Sequence, residues 1–529
     1  MRQACTRAGL QISLSTGRSR HCTPVGARLP TRPRNSITYR TRGRLQETRC
    51  SSNTEAAVDG SQINDKDTIQ RSVLNEVVQL GVPVLGAALS EPLLTLVDTW
   101  CLGQTDGTLA LAALSVNCGL FNFLSNSGAF LVTATTNCIA SALAVSSQST
   151  GESSGQPSGA SLLLGNALVL ATMLGAATAA VLWLAPSWVL SMFGAAPGSE
   201  MASTARSYLA IRAFSAPSLF LMFVAVGAAL GAGNAAAPAV GIALAAVVNL
   251  IGDGLLVLVL RTGLAGAAAA TAAASWIGTA TVLHVVRTRV VAPVFQRPTW
   301  AGVAPLLRVS LALLTTQVVS SVVYSYTTAF AAASGAVTAA GHQVVLQLWW
   351  LLSYAPVPLY LAAQSLLGHS LAVDDRPRAQ GAITVLCGLG AALSGILAFA
   401  TWLCCTHASG AFSSDPAVAA AIKSAIPAAC VAQALGTGVT TVEGIFAGAG
   451  RLRYVASVAL LSAPAGILAM RALLARASTN AWLGGDLAAV WWGLVFGEAV
   501  RLGVHFATWG AFARDVREGK ARGAVPPSE

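Results

Sequence analysis

Residues Leu80–Leu102 read LGVPVLGAALSEPLLTLVDTWCL. The run is long and apolar enough to cross a bilayer, for which about 20 residues suffice. Two acids, Glu91 and Asp98, nevertheless sit inside it, with Pro83 and Pro92 alongside. An ionisable group at that depth costs at least roughly 2.5–3.5 kcal/mol on insertion scales, which makes it a functional-site hypothesis by default. Glu91 and Asp98 are separated by two helical turns and so share one face. Each proline lacks a backbone donor and loosens the helix, which makes Pro83 and Pro92 candidate kink points. The freed carbonyls can be satisfied within a helix bundle.

A second apolar run carries Asn249 and Asp253, spaced i,i+4 and again on one face. The next offers Thr271 in an Ala-rich setting. Two acids in a dry cavity cannot both ionise cheaply, so one proton can be held near neutral pH, as a proton-coupled carrier requires. That reading needs the Asp98 and Asp253 carboxyls within roughly 10 Å, about one Debye length. The same oxygens could hold Na+ instead, or the acids could be protonated structural groups. The matching positions of the second half, Gln317 and Tyr324, are polar but neutral.

The composition fits a membrane protein. Hydrophobic residues make up 54% of the 529 and charged residues 10%, against about 25% charged in soluble domains. The net charge of +11 arises in a tail: residues 1–50 hold eleven arginines, from Arg2 to Arg49, and one acid, Glu47. Beyond residue 50 the charges nearly balance, so the body has no nucleic-acid-binding character. An Arg- and Ser-rich, acid-poor segment without a long apolar run reads as an organellar transit peptide. The Ser/Thr content and Arg49-Cys50-Ser51-Ser52 favour plastid over mitochondrion. The cysteines form no CxxC pair, so no zinc site or disulfide framework is expected. No cofactor is expected either.

Twelve apolar segments follow between residues 77 and 513. The second and eighth are unusually long and are expected to run on into interfacial helices. The expected division is a disordered transit peptide (1–50), a polar lead-in (51–75), an N-terminal six-helix lobe (76–286), an inter-lobe loop (287–304), a C-terminal six-helix lobe (305–513) and a short basic tail (514–529). Of the 21 basic residues after position 50, fourteen fall on the N-terminal side of the membrane and five on the other. By the positive-inside rule both termini face the cytosol-like compartment.

The halves repeat. Leu230-Gly231-Ala232-Gly233 matches Ala447-Gly448-Ala449-Gly450, Ala112-Ala113 matches Ala339-Ala340, and Ser141-Ala142-Leu143-Ala144 matches His369-Ser370-Leu371-Ala372, all in one order. The fold class is therefore an all-α integral membrane protein, twelve transmembrane helices in two pseudo-symmetric six-helix bundles. Such an architecture places a site near the midplane and works by alternating access.

The second half offers weaker candidates for a substrate cavity: Gln317, Tyr324, His342, Gln343, Gln347 and Glu443. A histidine at a helix start, such as His342, is more often a structural hydrogen-bonder than a proton relay. Glu443 could anchor a cationic solute or pack in its protonated form. Glu498 and Arg501, three apart, are expected to pair with each other. The pairs Trp349-Trp350 and Trp491-Trp492 read as interfacial or packing aromatics.

Pro83, Glu91, Asp98, Asn249, Asp253 and Thr271 fall at spacings that resemble the N-lobe cation site of multidrug and toxic compound extrusion (MATE) transporters, in their DinF-like branch, of the organelle-targeted plant and algal type. Val97-Asp98-Thr99 with Gly103 and Leu111-Ala112-Ala113 is similar to that family's first-helix signature. Ala340-Gly341-His342-Gln343-Val344 with Gln347 and Trp349 is similar to its eighth-helix signature, and Ala363-Gln364-Ser365-Leu366 and Gly444-Ile445-Phe446-Ala447-Gly448 also fit. The resemblance covers about residues 75–515. It implies cation-driven antiport of organic solutes, with protons favoured in this branch. Glu91 departs from relatives that often carry an amide there, adding a titratable group.

The expected function is a secondary active transporter that exports organic small molecules across an organelle membrane by proton antiport, acting as a monomer in the bilayer. Sodium-coupled antiport and a lipid-linked substrate flippase are the alternatives. An intramembrane enzyme is disfavoured: Asp374-Asp375 stands alone beside Arg376, and HExxH and GxxxxGK[ST] motifs are absent.

Overall fold

A computed structural model describes, apart from a few single positions, residues 90–148, 159–234, 236–295, 321–477, 479–480 and 483–520. The side chains of residues 90–94 lie outside the description, as do the proposed transit peptide, Pro83 and Gln317.

Among the described residues the structure is helical throughout. The first half contains α1 (Ser90–Thr105), α2 (Gly107–Gly128), α3 (Phe130–Gln148), α4 (Gly159–Leu184), α5 (Pro186–Met192), α6 (Glu200–Arg212), α7 (Ala216–Gly231), α8 (Ala236–Asp253) and α9 (Gly263–Arg289). The second half contains α10 (residues 321–333), α11 (Ala336–Ser353), α12 (Val357–Ala372), α13 (Arg376–Phe412), α14 (Pro416–Gly448), α15 (Leu452–Leu474) and α16 (Asp486–Glu518). Ten spans among the described residues are long and apolar enough to cross a membrane. The first and seventh expected spans are described only over 90–105 and 321–333.

Local chemistry sets many of the ends. Ser199 caps α6 by accepting the Ala202 N–H, Asp375 caps α13 through Arg378 N, and Asp415 caps α14 through Ala417 N. α1 is described from Ser90 onward, so the kink roles expected of Pro83 and Pro92 fall at or beyond the edge of the described residues. The long second and eighth segments each divide in mid-course, at Ala129 between α2 and α3 and at Tyr354–Pro356 between α11 and α12.

The duplication is visible in backbone detail. After α7, Ala232 N bonds Ala228 O, Gly233 N bonds Leu230 O and Asn234 N bonds Ala229 O; after α14, Ala449 N bonds Ile445 O, Gly450 N bonds Ala447 O and Arg451 N bonds Phe446 O. Both are the helix-ending pattern that requires a left-handed residue, supplied by Gly233 (φ 74°) and Gly450 (φ 75°). The matched tetrapeptides thus form the same turn in each half.

Two bundles follow the two halves. In the first, α3 and α4 pack on α7, α8 on α9, and α1 on both α2 and α8; in the second, α11, α12, α13 and α16 pack on α14, and α15 on α16. Between bundles the main contact is α2 against α11, which hold equivalent places in the repeat, joined by α1 against α11 and α13. Like meets like, as a two-fold relation demands.

Candidate functional site

Asp98 on α1 and Asn249 and Asp253 on α8 converge where these helices pack. All three side chains are buried, Asp253 completely. The Asn249 Nδ2 donates to Asp98 Oδ1 at 2.8 Å and to Asp253 Oδ2 at 2.8 Å. The two acceptor oxygens are therefore no more than twice that distance apart, well inside the roughly 10 Å that proton sharing needs. The i,i+4 spacing on α8 lets one amide serve its own helix and its neighbour at once. Asn249 Oδ1 and Asp253 Oδ1 have no hydrogen-bond partner among the described residues. Buried polar atoms of this kind call for an explanation.

Immediately beyond Asp253 the helix widens into a π turn over Gly254–Val259, closed by Leu260 N bonding Leu255 O at 2.8 Å. Such turns are rare and occur frequently at functional sites. Arg261 then adopts a left-handed conformation, φ 52°, a costly choice for a residue with a Cβ.

Thr271 does not join the acids. Its hydroxyl donates to Ala267 O on its own helix at 2.8 Å, and its carbonyl accepts from Ser275 Oγ. The backbone of Glu91 lies in α1, while its side chain is outside the description. Arg212, to which the sequence reading gave no role, ends α6 inside the first bundle. Its guanidinium lies 4.3 Å over the Phe121 ring and bonds Ser215 Oγ at 3.0 Å. Its place inside an apolar segment was the available signal.

The second bundle holds its own buried acids, Glu443 and Glu498, at positions other than Gln317 and Tyr324. Glu443 on α14 receives a two-pronged grip from Arg501 on α16, Nε to Oε1 at 2.7 Å and Nη2 to Oε2 at 2.9 Å. His505 Nε2 lies 3.2 Å from Oε1. Glu498, Arg501 and His505 share one face of α16. The expected Glu498–Arg501 pair is thus replaced by Glu443–Arg501, because α14 presents a carboxylate that matches the guanidinium fork. Sequence spacing sees neighbours on one helix and misses a partner on another.

A cavity of about 130 Å³ adjoins this cluster and is lined by Tyr324, Trp349, Trp350, Gln433, Glu443, Glu498 and Arg501. Tyr324 and Glu443 therefore both line a cavity. Trp349 and Trp350, read as packing or interfacial, line it too; Trp491 is fully buried against Trp349. His342 is buried, 3.3 Å from Thr328 Oγ1 and tilted against the Trp491 ring, which fits a structural hydrogen-bonder. Gln343 bonds across to the first bundle, and Gln347 is buried with Nε2 unpartnered. Among the described residues no His, Cys, Asp and Glu group is arranged to hold a metal ion.

The MatE family model matches residues 83–255 and 312–469, one match on each bundle. The chain belongs to the MATE family. Members of this family are transporters, not enzymes. The chain is 26% identical to "Protein DETOXIFICATION 44, chloroplastic" of Arabidopsis thaliana over 429 residues, 81% of this chain and 80% of that one. It is 28% identical to the DNA damage-inducible protein F of Escherichia coli K12 over 227 residues, covering 42% of this chain and 47% of that protein. In fold, this MATE protein is similar to a multidrug resistance MATE transporter solved in an inward-facing conformation. The TM-score is 0.69 at 17% identity, with 84% of this chain and 98% of that one covered. The all-helical membrane fold of twelve spans in two bundles is that of the family.

Proposed function

We propose that this MATE transporter exports organic solutes across an organelle membrane by proton antiport, with Asp98 and Asp253 as the proton site. The observation that carries the reading is the single Asn249 amide nitrogen bonded to both buried carboxylates. A neutral bridge between two acids tolerates a proton arriving or leaving: the protonated oxygen turns donor and the amide reorients. Sodium is the second reading. It would draw on the acids and on Asn249 Oδ1, which like Asp253 Oδ1 is unpartnered among the described residues; the amide nitrogen bonded to both carboxylates supports the proton.

The bonds between bundles support a conformational assignment. Gln104 Nε2 donates to Ala411 O at 2.5 Å, and Thr108 Oγ1 to Asp415 Oδ2 at 2.5 Å. A Cβ on Gly103 would collide with the Phe412 carbonyl, so the two backbones touch there and only glycine allows it. All these contacts lie at the end where α1 and α13 finish and α2 and α14 begin. With both termini on the cytosol-like side, that is the far end, and the transporter is closed there and faces inward.

Alternating access then requires that proton and solute prefer different states, since a ligand with no differential affinity shifts nothing. With both acids ionised the first bundle keeps an open, solute-binding cavity. Protonation removes repulsion, lets α1 bend and expels solute. The Arg-rich tail is the proposed address. A plastid membrane is favoured by its composition and by relatives named chloroplastic.

Efflux of a panel of fluorescent organic solutes from proteoliposomes tests the reading, with a pH gradient in one arm and a sodium gradient in the other. Acceleration by the pH gradient alone is expected. Efflux that follows sodium and ignores pH would overturn proton coupling.

A further inference from the structure

α1 carries the proton site on one side and an inter-bundle bond on the next residue. Thr99, completely buried, donates its hydroxyl to Thr95 O at 2.7 Å, which leaves its oxygen free to accept. It accepts from Gln343 Nε2 of α11 at 3.2 Å. The same nitrogen lies 3.5 Å from Cys118 Sγ on α2. One amide of the second bundle is therefore seated between two helices of the first, beside Asp98. Gln343 is completely buried, and its Oε1 has no hydrogen-bond partner among the described residues. A buried amide that uses one end and leaves the other unsatisfied is poised for a second arrangement in which that oxygen finds a donor.

We propose that Gln343 is a positioning residue for transport, linking the protonation of Asp98 and Asp253 to the movement of the second bundle through its bond to Thr99. Asp98 faces α8 and Thr99 faces α11, one residue apart on one helix. Any rotation or bend of α1 that frees Asp98 from Asn249 must displace Thr99 from Gln343. On the other side of α11 the neighbouring His342 packs tilted against Trp491 and Trp491 meets Trp349 edge to face, both with ring centroids 5.9 Å apart, and Trp349 lines the cavity of the second bundle. The displaced amide thus sits at the head of a packed row that ends at that cavity. Spatial continuity alone is not coupling; the claim is that the equilibrium of this bond is biased from both sides.

The titratable groups around the acid pair are Cys101 of α1, Cys118 of α2 and Tyr208 and Arg212 of α6, with His342 on α11 next to Gln343. None of them bonds either carboxylate among the described residues. Thr99 and Gln343 do not titrate, so their removal tests transmission rather than proton binding.

The proposal rests on the proton-coupled reading, and the test separates the two. Spin labels at Ala196 and Ala475, exposed at the far ends of the two bundles, report their separation in lipid nanodiscs. The background has the native cysteines replaced, with Cys118 as Ser to keep an acceptor. In this parent protein the separation is expected to change as pH is titrated from 8 to 5. Gln343→Leu and Thr99→Val should each cut the pH-induced change in the open-to-closed ratio about tenfold, the effect of about 1.4 kcal/mol. The double variant should lose no more than either single one, because both remove the same bond. Thr99→Ser retains the hydroxyl and should retain the parent response. A merely structural bond would lower the unfolding temperature and leave the pH response intact, which would overturn the proposal, as would additive losses. Should Gln343→Leu misfold, the Thr99→Val and Thr99→Ser pair decides the matter on its own. A parent protein with no pH response would break the proton-coupled reading and this proposal with it.

Discussion

Both bundles bury a pair of acids, and they compensate them in opposite ways. In the first, Asp98 and Asp253 share one neutral amide, and no cationic side chain among the described residues bonds either. In the second, Glu443 is held by both prongs of Arg501 with His505 behind it, and Glu498 lies one turn away on the same helix. A carboxylate gripped by a guanidinium cannot accept a proton without leaving a buried cation unpaired, which is expensive. Acids joined by an amide can change protonation by a small reorientation. The contrast assigns the changing charge to the first bundle and a fixed charge pattern to the second.

The sharpest way to break this contrast is to remove the guanidinium. Arg501→Met leaves Glu443 and Glu498 buried without their cation, and breaking a buried pair from one side costs about 3–5 kcal/mol. The unfolding temperature in nanodiscs should fall substantially, and adding Glu443→Gln should restore part of it. An Arg501→Met protein as stable as its parent would mean that the second bundle is as tolerant of charge change as the first.

The converse change belongs in the first bundle. Asparagine mimics the protonated acid, so Asp98→Asn and Asp253→Asn should stay folded, with stability within about 1 kcal/mol of the parent. Efflux driven by a pH gradient should nevertheless fall about 100-fold, the effect of about 2.7 kcal/mol. If both variants transport at the parent rate, the acids are structural and the contrast loses its functional meaning.

These two bundles also mark where sequence reasoning reaches. Asp98, Asn249 and Asp253 were legible because each breaks an apolar run and because the i,i+4 spacing fixes a shared face. The repeat was legible in its small-residue turns, which return as identical hydrogen-bond patterns ending in Gly233 and Gly450. The partner of Arg501 was not legible, since helix periodicity ranks Glu498 first and says nothing about which face of α14 arrives opposite. The hydrogen bonding of Thr271 was not legible either: its hydroxyl satisfies itself on the Ala267 carbonyl of its own helix, and spacing cannot say when it will. The role of Gln343 was hidden in a motif that reads equally well as cavity lining; only the approach of α1 and α2 from the other bundle exposes it.

Glu91 tests how private the acid pair is. It shares a helix face with Asp98 by spacing, so Glu91→Gln removes one neighbouring carboxyl without touching the amide bridge. The expected result is intact transport with a pH optimum displaced by up to about one unit, roughly 1.4 kcal/mol. A loss as complete as that of Asp98→Asn would enlarge the proton site to three acids.

The smallest effect is expected at the contact that closes the far end. The Asp415 carboxyl is held below the usual carboxylate range, first by the Thr108 hydroxyl and then by the Ala417 N–H at the start of α14. A lowered value means that this contribution is complete above the ordinary aspartate range. It is lost only as pH falls through the lowered value. Between pH 5 and pH 8 the contact therefore keeps one charge state. Thr108→Val removes a single hydrogen bond, so the fraction open at the far end should rise roughly 2- to 10-fold. That rise should be uniform across the pH range, because the contact keeps one charge state throughout it. Accessibility of a cysteine placed at Ser413, buried at the closed end, to a membrane-impermeant thiol reagent, measured at several pH values with and without Thr108→Val, gives both quantities. Parallel pH curves leave the first bundle as the source of the pH response. Curves that converge at low pH would move the titrating element from the acid pair to Asp415.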